Sequence, residues 1–145
     1  MEKTIQELNL FLSNLNVFYR KLQNYHWNII GKDFFIIHAK LEEYYDTINK
    51  QIDEVAEHIL MLQGEPLGSM KDYLANTTIQ EAQNQKVNDC VVFENIIKDY
   101  EVLLQQSNKI KKEADEKNNY LTSALMDNYI SEYNKTLWML KQMKQ

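Results

Sequence analysis

The chain has 145 residues, 44% of them apolar, which is enough to bury a substantial core, and its three glycines and one proline argue against a loop-rich or β-rich architecture. A net charge of −5, with the lysines dispersed except for Lys109, Lys111 and Lys112, which Glu113, Asp115 and Glu116 follow at once, disfavours nucleic acid as a partner, and a single cysteine, Cys90, excludes an internal disulfide. The start, MEKTIQELNL, lacks the apolar stretch of a signal peptide, and the longest apolar runs, Phe34 to Ile37 and Cys90 to Phe93, fall far short of the ~18 residues that would span a bilayer. One cytoplasmic domain over residues 1–145, away from membranes, is expected.

The first helix is predicted from about Thr4 to Ile30, opened by a capping box at Thr4 and Glu7. Ile5, Leu8, Leu12, Leu15, Tyr19 and Leu22 recur at helical spacing, and His26 is the next step of that seam. The second helix takes Asp33 as its N-cap, and is ended by Gly64, with Pro66 preventing its resumption. Its seam is Leu41, Tyr45, Ile48, Ile52, Val55, Ile59 and Leu62. A crossover of about 24 residues follows, in which Ser69 and Asp72 predict a short helix ending near Leu74. A third helix, about Asn88 to Glu116, carries Phe93, Ile97, Tyr100 and Leu104 beside Val92, Ile96, Leu103 and Ile110. A fourth, about Asn119 to Met143, carries Met126, Ile130, Tyr133, Leu137 and Leu140. Two short links and one long crossover, which lets the second and third long helices run parallel, describe an all-α, ferritin-like four-helix bundle.

Chemistry concentrates between Tyr25 and Glu57. His26 and His38 flank Gly31 at similar distances, so two antiparallel helices bring them to one height. Asp53 and Glu57 lie fifteen and nineteen residues beyond His38, roughly 22 to 28 Å along a helix axis, and cannot meet the same ion within one chain. His38, Glu42, Asn49, Asp53 and Glu57 form a stripe displaced by about 120° from the apolar seam, so it faces away from the core. Two copies of the helix crossing antiparallel about a two-fold axis would join the His38 end of one to the Asp53 and Glu57 end of the other, twice over. Imidazole and carboxylate donors suit iron, manganese or zinc. His58 extends the polar stripe and is expected at the surface or beside the ligands rather than among them.

At these residues the chain resembles the miniferritins, the Dps-like family of iron-oxidising dodecamers. The resemblance rests on His26-Trp27, Gly31, Phe34-Phe35, His38 and the Asp53-x-x-x-Glu57 pair, continues through Gly64, Pro66, Leu67, Gly68 and Met70 to Leu74, and returns at Trp138. It implies a ferroxidase that oxidises Fe(II), preferably with hydrogen peroxide, and stores ferric iron in a hollow homododecamer with metal sites at two-fold interfaces, protecting against oxidative stress. His26, His38, Asp53 and Glu57 would be the ligands, with Glu42 where the family usually has Asp. Trp27 would quench oxidising equivalents, helped by Trp138, and an iron-entry pore near Asn118, Asn119, Tyr120 and Ala124 would draw on Asp115, Glu116 or Asp127.

Other classes are compatible with parts of this pattern. A DNA-protecting, nucleoid-associated member would need basic anchors, and the candidates are the Lys109, Lys111 and Lys112 cluster and the Lys141 and Lys144 end; only three residues precede the first helix. An intrachain di-metal bundle would need Glu-x-x-His pairs, which are missing. A purely structural shell, with the site vestigial or filled by zinc, is the third alternative.

Overall fold

A computed structural model describes residues 1–143; Lys144, one of the candidate DNA anchors, lies outside the described residues. Four long helices, α1 (Glu2–Asn28), α2 (Phe34–Met61), α4 (Asp89–Glu116) and α5 (Tyr120–Met143), are joined with a short α3 (Met70–Asn76) in the crossover. Polar contacts give the directions. Asn14 reaches Gln106, Lys21 reaches Asp99 and Lys109 reaches Glu7, so α1 and α4 are antiparallel. Gln51 reaches Glu132 and His58 reaches Thr122, so α2 and α5 are antiparallel as well. With α1 and α2 forming a hairpin, α2 and α4 run parallel, as the crossover length predicts.

The predicted seams are the core. Leu8, Leu12, Leu15, Leu22, Leu41, Ile48, Val55, Ile59, Val92, Ile96, Leu103, Met126 and Tyr133 are all buried. Phe11, Phe18, Tyr100, Tyr129 and Tyr133 fill the centre, with Phe18 and Tyr100 edge to face at 4.9 Å. Two of the buried phenols find partners: Tyr133 donates to Gln51 Oε1 at 2.5 Å and Tyr129 to Glu54 Oε1 at 2.9 Å.

Several element ends differ from expectation because tertiary contacts claim the local signals. Helix α1 starts at Glu2, so Thr4 and Glu7 form no capping box; the Thr4 hydroxyl is buried and faces Glu113 at 3.5 Å, and Glu7 pairs with Lys109 at 3.3 Å. It ends at Asn28 rather than Ile30 because the end of the crossover pairs with it there: Ile30 N–H donates to Val87 O and Val87 N–H to Asn28 O. Asp33 occupies the N-cap of α2, but its side chain makes no cap bond. Helix α2 stops at Met61, and the left-handed residue after it is Gln63 (φ 66°), not Gly64. Gly64 serves close packing instead, since a Cβ there would stand 2.7 Å from Ile5 Cδ1. The short helix is capped as predicted, Ser69 Oγ accepting from Asp72 N–H, and runs two residues past Leu74.

Three asparagines of α1 hold the crossover. Asn9 accepts from Leu67 N–H and donates to Glu65 O. Buried Asn14 accepts from the Thr77 hydroxyl and from the backbone of Thr78 and Ile79. Asn24 donates to Ala82 O. The lysine cluster is divided among partners: Lys109 goes to Glu7, and Lys111 to Asp127 at 2.8 Å and Asp115 at 3.6 Å. No described helix is long and apolar enough to cross a membrane.

Between α1 and α4 lies a buried ion pair, Lys21 Nζ to Asp99 Oδ2 at 2.8 Å. Burial raises the Asp99 pKa above the ordinary carboxylate value, against the opposing pull of Lys21. A raised folded-state value means that this group favours folding at pH below its unfolded pKa and loses that contribution as pH rises through the folded one. At neutral pH its ionised form is therefore a cost that the lysine offsets. Lys21→Met should destabilise the fold by about 3–5 kcal/mol in denaturant unfolding, because it strands the carboxylate, and Lys21→Met with Asp99→Leu should recover most of that loss. A double variant no more stable than the single one would contradict this account of the pair.

Candidate metal centre

The last turn of α1 and the first turns of α2 are joined by five residues, with Gly31 at φ 133°, a conformation that side-chain-bearing residues rarely adopt. The link brings His26 and His38 together, their rings stacked with centroids 3.6 Å apart. Their contacts are reciprocal. His26 Nδ1 lies 2.7 Å from the His38 carbonyl oxygen, and His38 Nδ1 lies 2.7 Å from the His26 carbonyl oxygen. A carbonyl only accepts, so each Nδ1 carries the proton, and in the neutral imidazole each Nε2 keeps a free lone pair. This is the arrangement by which an outer hydrogen bond orients a metal-binding histidine.

The His26 carbonyl is free to accept because its helical partner is engaged elsewhere. Ile30 N–H, which would close the last turn of α1, donates to Val87 O in the crossover. Phe34 stacks on the outer side of His38 at 4.8 Å, and Tyr45 meets His26 edge-on at 5.3 Å. Glu42 Oε1 stands 3.8 Å from His26 Nε2, too far for a hydrogen bond. Ligand-to-ion distances of about 2.0–2.2 Å on each side would let one cation bridge that gap.

The predicted stripe on α2 faces outward: Glu42, Asn49, Asp53 and Glu57 are exposed, and His38 is half-buried. Among the described residues, no group of three or more histidine, cysteine, aspartate or glutamate side chains is close enough to hold a metal. The chain thus presents two imidazoles and Glu42 at one end of α2 and Asp53 with Glu57 towards the other.

Other predicted residues fall as follows. His58 is not at the surface: it is buried, its Nε2 2.8 Å from the Thr122 hydroxyl, and desolvation lowers its pKa. It belongs to the α2–α5 contact, because one step from Glu57 turns the helix by about 100°. Trp27 is 55% exposed, with the Arg20 guanidinium 5.9 Å over its ring, and among the described residues no aromatic contact joins it to either histidine. Trp138 is exposed. Asp127 is occupied by Lys111. Tyr45, which the apolar seam had classed as packing, lies against a ligand candidate, a position that no sequence spacing marks as chemical.

The chain matches the family model described as Ferritin-like domain over residues 5–145. It is 37% identical over 140 residues to DNA protection during starvation protein 2 of Bacillus anthracis, covering 97% of this chain and 95% of that protein. It is 34% identical over 140 residues to General stress protein 20U of Bacillus subtilis, covering 97% and 96%. The crystal structure of the Dps protein of Vibrio cholerae O1, described as a member of a broad superfamily of ferritin-like diiron-carboxylate proteins, superposes with a TM-score of 0.96 at 38% identity over 99% of this chain and 90% of that one. The fold, the paired histidines and these likenesses together establish that the chain belongs to the Dps-like miniferritins of the ferritin-like family.

Proposed function

We propose that the protein is a cytoplasmic ferroxidase that oxidises Fe(II) with hydrogen peroxide at sites shared between two-fold related subunits, and stores the ferric product inside a dodecameric shell. Iron storage and protection under stress are the general role of the family. The single observation that carries the finer reading is the reciprocal hydrogen bonding of His26 and His38, which places the proton of each neutral ring on Nδ1 and leaves Nε2 as the donor atom, that of His26 standing 3.8 Å from Glu42. Fixing the tautomer and orientation of two donors before metal arrives reduces the rearrangement that binding requires. Asp53 and Glu57 of the mate supply the anionic oxygens, and Glu57 reaches towards a second iron position. Glu42, one methylene longer than aspartate, tunes that second position. Zinc or manganese can occupy the same donors. Asp127 is assigned to the iron path, its charge moderated by Lys111.

Binding of duplex DNA, which the names of some relatives suggest, is not part of this reading. DNA association that neutralises several phosphates needs free clustered cations, and Lys109 and Lys111 are held in ion pairs. Duplex DNA should show no gel shift at about 150 mM salt, where screening length is ~8 Å; a complex that persists there would revive the DNA-protecting alternative.

The shared site is tested by complementation. A variant with His26→Ala and His38→Ala and another with Asp53→Ala and Glu57→Ala should each lose fast Fe(II) oxidation. In a mixed dimer, one site combines the intact histidines of the second variant with the intact carboxylates of the first, while the other lacks all four. Co-assembly should restore about half-normal activity per mixed dimer by two-fold symmetry. Verified mixed dimers without recovered activity would rule out ligands from two chains.

A further inference from the structure

A cavity of about 200 Å³ opens among the first turns of α2, the start of α4 and the end of α5, and α1 contributes nothing to its lining. On α2 the lining residues Ile37 and Leu41 each precede a member of the outward stripe, His38 and Glu42, by one position. One step turns a helix by about 100°, so the cavity and the metal centre use different faces of α2. Ile37, Leu41 and Leu140 are buried, Phe93 and Tyr44 are half-buried beside them, and Met139 is exposed at the rim. An apolar cavity of about 150 Å³ lined by leucine, isoleucine and phenylalanine stays dry and binds benzene, so this one has room for an apolar group of about six to eight carbons.

Among the described residues that line the cavity, Lys40 alone is charged. Its Nζ stands 5.9 Å over the ring of Tyr44, itself part of the wall, and 3.4 Å from Glu43 Oε2. An exposed pair of that kind is weak, and an ammonium has three donors, so Glu43 leaves Lys40 able to meet a second anion. An apolar interior with one cation at its wet mouth is the complement of an amphipathic anion: the tail gains by leaving water, and the head keeps its charge paired at the surface.

We propose that this cavity binds a medium-chain carboxylate, its tail seated among Leu41, Phe93 and Leu140 and its head paired with the Lys40 ammonium. The site uses no ligand of the metal centre, so it stands independently of the ferroxidase reading.

The test titrates the assembled, metal-free protein with sodium octanoate and with 1-octanol, followed by ligand-observed nuclear magnetic resonance. The wild type should bind octanoate saturably, one per subunit, and more tightly than the alcohol. From butanoate to octanoate the affinity should rise about fourfold per methylene, as apolar burial requires, and then level off as the cavity fills. Lys40→Met, which keeps an unbranched side chain and removes the charge, should abolish the preference for octanoate and leave 1-octanol binding unchanged. Met139→Trp, a change at the exposed rim, should narrow the mouth and weaken both probes, with circular dichroism and particle mass confirming fold and assembly. The variant with His26→Ala and His38→Ala should bind both probes as the wild type does. No saturable binding of either probe to the wild type would overturn the site, and would be the result if a second copy covers the cavity. Octanoate binding undiminished in Met139→Trp, or lost with the two histidines, would place the ligand elsewhere and overturn it as well. A preference for octanoate that survives Lys40→Met would overturn the carboxylate assignment.

Discussion

The candidate centre depends on one carbonyl group at the end of α1. A helix leaves its last carbonyls without internal partners, and they must be met by something. At His26 the partner is the Nδ1 of His38, and the exchange is returned through the His38 carbonyl. That pair of hydrogen bonds fixes both tautomers, both ring planes and the height of α2 against α1 at once. Stacking alone would not achieve this, because a half-turn of either ring about χ2 exchanges its edges while keeping the planes stacked. Two short bonds to backbone remove that freedom before any ion is present.

The carbonyl is available only because the crossover returns to claim Ile30. Val87 accepts from Ile30 and donates to Asn28, a two-bond clasp whose crossover residue lies 61 residues beyond His26 and 49 beyond His38 in sequence. The clasp is positioned by polar residues on α1, above all buried Asn14, whose amide gathers the Thr77 to Ile79 segment. Burying an amide costs stability unless each of its groups is met, and here all of them are: Nδ2 donates to Thr78 and Gln106. The route of the crossover is therefore set by hydrogen bonding, whereas the bundle it wraps is set by apolar burial. Lys21 and Asp99 tie α1 to α4 nearer the histidine end of α1.

Much of this was legible in the residues and some was not, for identifiable reasons. The four long helices follow from periodic apolar seams, because core burial and helical period are one pattern seen twice. The outward stripe from His38 to Glu57 follows from the same arithmetic. Local signals failed where a side chain had a better partner elsewhere: Thr4 faces Glu113 instead of capping, and Gly64 accommodates Ile5 instead of ending α2. His58 was misplaced because polarity alone suggested surface, whereas Thr122 gives it a buried partner. Asn14, Lys21 and Asp99 read as ordinary polar positions because their partners lie 63 to 92 residues away. Tyr45 read as packing, and packing is what it does, but against a ligand candidate. The likenesses to relatives establish the family and the fold.

The Ile30–Val87 clasp also orders events in time. During synthesis the α1–α2 hairpin emerges first, and its contacts are local, so its apolar faces can meet early. The unclaimed Ile30 N–H is then free to close the last turn of α1 on the His26 carbonyl, in competition with His38. Only a chain that has been extended through residue 87 and has laid its crossover along α1 settles that competition in favour of the paired imidazoles. The paired-imidazole arrangement is in this sense a property of the finished topology, and a ribosome-bound fragment carrying both histidines does not yet hold them in it.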